Sequence, residues 1–404
     1  MLGVGSSITS GVAESKYSAF FDGNNGTHID TGQTFQSLLR GDYSISFWMK
    51  PSNGRTDQMI FNAENSSGHD EIYFQLQTDG VPRFVLASNN GAGSTDIGIW
   101  NTSGGGGFAF NSGAASSWTH FLIVVNHQSF ATNSVINIFV NGVDKTNETA
   151  IFSSANQANY TSSTNLVLGA RNIAGSLDKF YEGGINEFAI FSNATMNIGD
   201  AVAIYNGGSN PLNLTLDQGP TYDNSSALHA YYKMGDGLFD DKVKGVIHDQ
   251  DDPGFGSTLV TWDGSTTSDW SVAYANTTLS ANNGRLRATA NGEGSYGVSK
   301  SFTTVVGAVY RVDYNINIDN ATGSDEEFGV SVNSNLSSQL ATLSTSTEIG
   351  TGYFTATATT TYIGLVDISD EAGLYLEIES ISVKKLNGKP ALTSGGVTFS
   401  SDTH

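Results

Sequence analysis

The sequence predicts an all-β protein of two antiparallel β-sandwiches in tandem, and three observations carry that expectation. The stretch 41–51, GDYSISFWMKP, sends Tyr43, Ile45, Phe47 and Met49 to one side and Ser44, Ser46 and Lys50 to the other, with Trp48 an apolar intruder. Strict alternation of this kind marks a half-buried strand, because successive side chains of extended backbone leave on opposite faces. Pro51 stops it, since it has no N–H to give to a ladder. The composition, 47 Gly and only 6 Pro in 404 residues with 38% hydrophobic and 11% aromatic content, fits many short strands joined by tight turns. Finally, the alternation breaks off in a charged stretch at 238–256, and a second β series follows it.

In chain order, residues 1–16 are small and polar without a period and read as an arm. YSAFFD and FDGNNGTHID give two short strands around a Gly/Asn turn. Strands follow at 58–62, 71–77, 83–87 and 97–100, and the four glycines of 104–107 read as a surface loop, because the Lys-Ser/Thr ending of a phosphate loop is missing. SSWTHFLIVVN, 116–126, is apolar on both faces toward its end, as a central strand should be, with Trp118 and His120 packed inside. INIFVNGVDK turns at Asn141-Gly142, a strong hairpin signal. Strands at 165–170 and 183–191 precede one short helix at 199–208, spaced on Val202 and Tyr205 with a Gly stop, and 227–237 closes the first sandwich. The domains are thus 17–237 and 257–387, with a linker at 238–256 and a small-residue tail at 388–404.

Charge and missing residue types narrow the function. A formal charge of −21, from 39 acidic against 18 basic residues, argues against nucleic-acid phosphate as a partner. With no Cys there is neither a disulfide nor thiolate chemistry. The start, MLGVGSSITSGVAESKY, lacks the pattern of a signal peptide, and no apolar run approaches the length of a membrane span.

FDG at 21–23, YSISFWMKP at 43–51, WTHF at 118–121, INIFVNG at 136–142, GGINEFAIF at 183–191 and AIYNGG at 203–208 stand in the order found in laminin-G-like, concanavalin-A-like lectin domains, which 17–236 resembles. The resemblance implies a jelly roll of two large sheets. YRVDYNI, YFTATATTTYIGL and LEIESISVKKL are similar to carbohydrate-binding-module or galactose-binding-like jelly rolls. The arrangement of both between such an arm and such a tail resembles structural proteins of tailed phages, particularly marine ones.

Hydrolases with the lectin-like sandwich carry Glu-x-Asp-x-Glu, which places two carboxylates on one face at the separation that retention needs, and that motif is missing here. Glu377 and Glu379 do share a face, expected to be the solvent side of an edge strand. The seven His have no HExxH spacing, and no GxSxG elbow supports a serine triad, so no catalytic residue is assigned. The resemblance implies that Asp22 and Glu187 lie near each other and hold a structural Ca²⁺, a hard cation suited to carboxylates. Trp100, Trp262 and Trp270 are the aromatic candidates for stacking on sugar rings, while Trp48 is expected under a loop or helix. The expected function is a non-enzymatic virion protein, a homo-oligomer on the phage surface that meets other virion proteins and host-surface glycans. A bacterial extracellular carbohydrate-binding protein and a glycoside hydrolase are the alternatives.

Overall fold

The computed structural model describes residues 15–52, 57–65, 71–78, 80–89, 94–101, 110, 117–126, 136–146, 150–152, 163–192, 196–209, 211–218, 221–262, 266–317, 326–343, 349–367 and 372–403; for 71, 88, 89, 94–101 and 150–152 the description is of the backbone. The chain forms two compact units, 1–253 with 388–404, and 254–387. Both are built of packed antiparallel sheets, so the all-β tandem architecture stands.

In the first unit, eight described strands form one sheet in the order Val143–Asp144, Ile136–Val140, Thr119–Val125, Tyr43–Pro51, Glu182–Phe191, Ser18–Asp22 and Thr398–Ser400, with Leu228–Tyr232 also paired to Glu182–Phe191. Tyr43–Pro51 thus lies in the middle, hydrogen-bonded to Thr119–Val125 on one side and Glu182–Phe191 on the other. The second sheet runs Ala150–Phe152, Ser94–Asn101, Pro82–Asn89, Glu71–Leu76, Gln58–Glu64, Val167–Leu168, His28–Asp30, Ala391–Ser394 and Val246–Ile247. Tyr43, Ile45, Phe47 and Met49 all enter the core between the sheets, as the alternation requires. Phe47 is its aromatic hub, with ring centroids 5.6 Å from Phe61, 5.1 Å from Phe74 and 5.4 Å from Phe121.

The opposite face of the same strand departs from the half-buried expectation. Ser44, Ser46 and Trp48 are buried too, because the helix Ile198–Tyr205 and the segment after it lay a second apolar layer on the outer side, containing Ala201, Ile204, Leu214, Tyr222 and Tyr231. Trp48 lies under the helix, its ring 5.7 Å from Tyr205 and 5.1 Å from His120, while Ser46 Oγ and His120 Nε2 share a buried hydrogen bond of 2.9 Å. The helix starts on a capping box, Asn197 accepting from Gly199 N and Asp200 accepting from Asn197 N. Its buried residues are Asp200, Ala201 and Ile204, and Val202 faces out. Trp118, expected in the core, is half-buried at the strand's entrance, its Nε1 donating to Asp402 at 3.4 Å.

Two boundary expectations change. Residues 388–404 are not a tail: Ala391–Ser394 pairs with His28–Asp30 and Thr398–Ser400 with Ser18–Asp22, one strand for each sheet. The turn between them needs glycine twice, since Gly395 sits at φ +65 and a Cβ on Gly396 would meet Asp22 Oδ2 at 1.9 Å. Nor is 238–253 a linker. Asp240 accepts from the N–H groups of Gly235, Gly237 and His248, Asp249 from those of Tyr231, Asp251 and Lys389, and Val246–Ile247 joins the second sheet. These carboxylates satisfy the amides of a compact loop whose stretch 245–250 is buried, work that charge in a true linker does not do.

The second unit has a six-stranded sheet, ordered Thr277–Asn282, Arg285–Ala290, Tyr375–Leu386, Val309–Asn317 and Ile349–Thr355 with Phe255–Trp262 on Tyr375–Leu386, and a five-stranded one, ordered Ser271–Val272, Tyr296–Thr303, Thr360–Asp367, Glu326–Ser331 and Gln339–Leu343. Alternation is kept: Leu286, Ala288 and Ala290 are buried, and Arg285, Arg287 and Thr289 alternate with them on the outer face.

Candidate functional site

Tyr375–Leu386, expected at an edge, is central. It pairs with Arg285–Ala290 and with Val309–Asn317, which sets Arg287 directly beside Glu377 and Asn317 beside the same residue from the other side. The register slips one place where Asn315 meets Ser380 and Ile316 meets Ile378, a bulge that leaves Glu379 and Ser380 both off the core. The outer face of this sheet is therefore a groove of about 780 Å³ lined by Asn282, Arg285, Arg287, Asn317, Tyr375, Glu377 and Glu379 among others, a volume within the roughly 300–1,000 Å³ typical of ligand sites.

The floor of the groove is a closed charge network. Glu377 Oε1 accepts from Arg287 Nε at 2.8 Å and Asn282 Nδ2 at 3.3 Å, and its Oε2 accepts from Arg285 Nη1 at 3.2 Å and Asn317 Nδ2 at 3.4 Å. Arg285 Nη2 reaches on to Glu379 Oε2 at 3.1 Å, so one guanidinium bridges both carboxylates. Arg287 also lies over the Tyr375 ring, 3.7 Å from its centroid. Burial pushes the Glu377 carboxyl up, but the hydrogen bonds from Arg287, Arg285 and Asn282 prevail and hold it below the usual glutamate value. The Glu377 side chain is 4% exposed and that of Glu379 is 45% exposed, so the first is a fixed floor and the second a reachable wall.

Most residues singled out from the sequence lie elsewhere. Trp262 and Trp270 are core residues, 6% and 5% exposed, packed edge to face at 6.3 Å, and offer no stacking surface for a sugar. Trp262 alternates with Val260 along Phe255–Trp262, and both, with Trp270, belong to the core that holds Leu286 and Ile381. Trp100 is in the strand Ser94–Asn101, and its side chain lies outside the described residues.

Asp22 and Glu187 are not brought together. Asp22 pairs with Glu182 across the sheet, which leaves Glu187 five residues further along, roughly 17 Å at strand rise. Asp22 is instead a turn organiser, accepting from Thr27 Oγ1 at 2.5 Å and Asn24 N at 3.0 Å, bonds that hold its carboxyl low. Two carboxylates this far apart do not fit one shared Ca²⁺. Among the described residues no group of three or more His, Cys, Asp or Glu stands ready to hold a metal.

Glu187 has its own explanation. It sits at φ +49 in a bulge where the pairing with Tyr43–Pro51 jumps from Asn186 to Ala189. The bulge breaks the alternation, so that Ile185, Phe188 and Ile190 face the inter-sheet core while Glu187 lies on the other side with Ala189, Phe191 and Tyr231. Its Oε2 accepts from the Tyr231 hydroxyl, and its Oε1 is buried without a hydrogen-bond partner. Burial pushes its pKa up from 4.5 to about 7, against the pull of the Lys233 charge and the Tyr231 hydrogen bond.

Residues 22–196, within the first unit, match the Laminin_G_3 family model, the concanavalin A-like lectin/glucanases superfamily. No curated protein sequence matches the chain. Similar solved structures include the CBM40 of an IT-sialidase from Ruminococcus gnavus, at 11% identity and TM-score 0.37, covering 46% of this chain and 96% of that one. A putative carbohydrate binding protein from Bacteroides ovatus is 12% identical with TM-score 0.36, covering 58% of this chain and 56% of that one. Domains LG4-5 of the mouse laminin alpha1 chain are 11% identical with TM-score 0.31, covering 96% of this chain and 89% of that one. No helix among the described residues is long and apolar enough to cross a membrane.

Proposed function

We propose that this protein is a non-catalytic glycan-binding protein whose ligand lies in the groove of the second unit. The observation that carries this reading is the groove floor, in which hydrogen-bonding side chains surround an Arg–Tyr pair while the inner carboxylate is tied up by two arginines. Glycoside hydrolysis by two carboxyl groups needs one of them to hold a proton near neutrality. Glu377, buried and held ionised by two arginines, is not free to be that acid.

The finer reading is display on the surface of a tailed-phage particle as a homo-oligomer that contacts other virion proteins and host glycans. Its support is the arrangement of a lectin-type jelly roll with a second sandwich. The test has two parts. A glycan array probed with the whole chain should show binding that Tyr375→Ala or Asn317→Ala abolishes, with unfolding profiles matching the parent. Cleavage of laminarin-like or agar-like polysaccharide, lost in Glu377→Gln, would overturn the non-catalytic reading. Purified particles should contain the chain in symmetric oligomers, and a monomer abundant in the medium but missing from virions would sink the display reading.

A further inference from the structure

We infer that the groove of the second unit selects uncharged sugars and rejects uronate and sulfate-bearing ones. This rests on the glycan-binding reading above and adds the ligand class. Four of the groove's lining residues carry formal charge, Arg285, Arg287, Glu377 and Glu379, and the two signs cancel. Each of these charges is also engaged locally: Arg287 on Glu377, and Arg285 on Glu377 and Glu379 together. Two arginines in a groove read at first sight as a site for acidic sugars, and the pairing removes that reading.

The cost of breaking the network decides the matter. An incoming carboxylate or sulfate meets guanidinium groups whose charge the resident glutamates already neutralise, and it can take one over fully only by displacing a glutamate from it. The most heavily paired one, Glu377, is 4% exposed, so losing an arginine would strand a charge that water cannot reach. An incoming ammonium would have to strip a glutamate from its arginine, at similar cost. A hydroxyl disturbs none of this, because it donates to or accepts from groups at the groove wall while the ion pairs stay closed. The wall supplies such groups in Asn283, Ser380 and the half-exposed Glu379, whose Oε2 is engaged by Arg285. The Tyr375 ring already carries the Arg287 guanidinium on a face, so recognition leans on hydrogen bonds rather than on an open aromatic platform.

The test compares matched neutral, uronate-bearing and sulfated oligosaccharides on the full chain at low and high NaCl. Neutral sugars should bind, with affinity changing by less than about twofold between 0.05 and 1 M NaCl, since no net charge is there to be screened. Preference for either acidic class, with affinity falling about tenfold or more across that salt range, would overturn the inference and leave the glycan-binding reading standing; the uronate and sulfate arms show which anion is responsible. Binding to none of the three classes would sink both. Glu379→Gln supplies an independent check at an exposed position. It leaves Arg285 with one carboxylate instead of two and makes the groove net positive, so the variant should acquire salt-sensitive binding to uronate chains; a folded variant that acquires none would count against the charge accounting.

Discussion

Replacing Glu187 by Gln should make the first unit more stable than the parent at alkaline pH and no more stable in acid. The side chain is 3% exposed, one oxygen has no hydrogen bond, and burial raises the carboxyl from 4.5 to about 7. A carboxyl raised in the folded state holds its proton more tightly folded than unfolded. Its contribution is therefore complete below about 4.5 and is lost as pH climbs through about 7. Each pH unit across that window weighs about 1.36 kcal/mol, so ionising Glu187 costs the folded state about 3 kcal/mol above pH 8. Glutamine keeps the acceptor for the Tyr231 hydroxyl and never ionises. The assay is urea unfolding of parent and variant at pH 4, 6 and 8.5, read as the difference between the two so that other titrating groups cancel. A difference that stays flat across those pH values would refute the reasoning, because it would show that Glu187 is already ionised or well solvated in the folded protein.

Trp262→Ala should destabilise the second unit by about 3–5 kcal/mol, the range for large aromatic truncations in cores, and thermal unfolding checks it; a change under 1 kcal/mol would restore Trp262 as a surface residue. Removing 388–404 takes one strand from each sheet of the first unit, so limited proteolysis should find that unit cut rapidly while 254–387 survives. Replacing 254–387 with a short Gly/Ser linker should leave a first unit that unfolds cooperatively, because the residues flanking the excision are already neighbours, a Cβ on Gly388 falling 2.8 Å from Asp252 O. Loss of folding in that chain would show the first unit to be incomplete without the second.

Much of this fold was legible locally. The alternation of Tyr43–Pro51 assigned every core residue of that strand correctly, since period 2 is a property of the backbone and holds wherever one face meets a core. The burial of its other face was not legible, because Ser44 and Ser46 are covered by residues about 150 positions later, and a short polar side chain reads the same under a helix as in water. The departure of Glu187 from the face of Ile185 was not legible, because a bulge adds one residue silently: with a Glu rather than a Gly in the left-handed conformation, nothing in GGINEFAIF marks the slip. Trp262 was misjudged for a different reason, as its alternation with Val260 already pointed inward. The groove is the clearest case of non-local information. GRLRATA shows two outward arginines and LEIES two outward glutamates, yet only the pairing of strands about 90 residues apart turns them into one neutral floor.

The closing strands Ala391–Ser394 and Thr398–Ser400 place a condition on synthesis. Both sheets of the first unit wait for strands that follow the whole of 254–387, so the earlier part of the chain leaves the edges of Ser18–Asp22 and His28–Asp30 without those partners until the later part has been made. A chain that stops early is therefore marked by exposed strand edges of the kind that aggregate or attract proteases. In the natural chain the strands that finish the first unit come only after the second has been made, which ties the supply of the first unit to that of its groove-bearing companion, one for one.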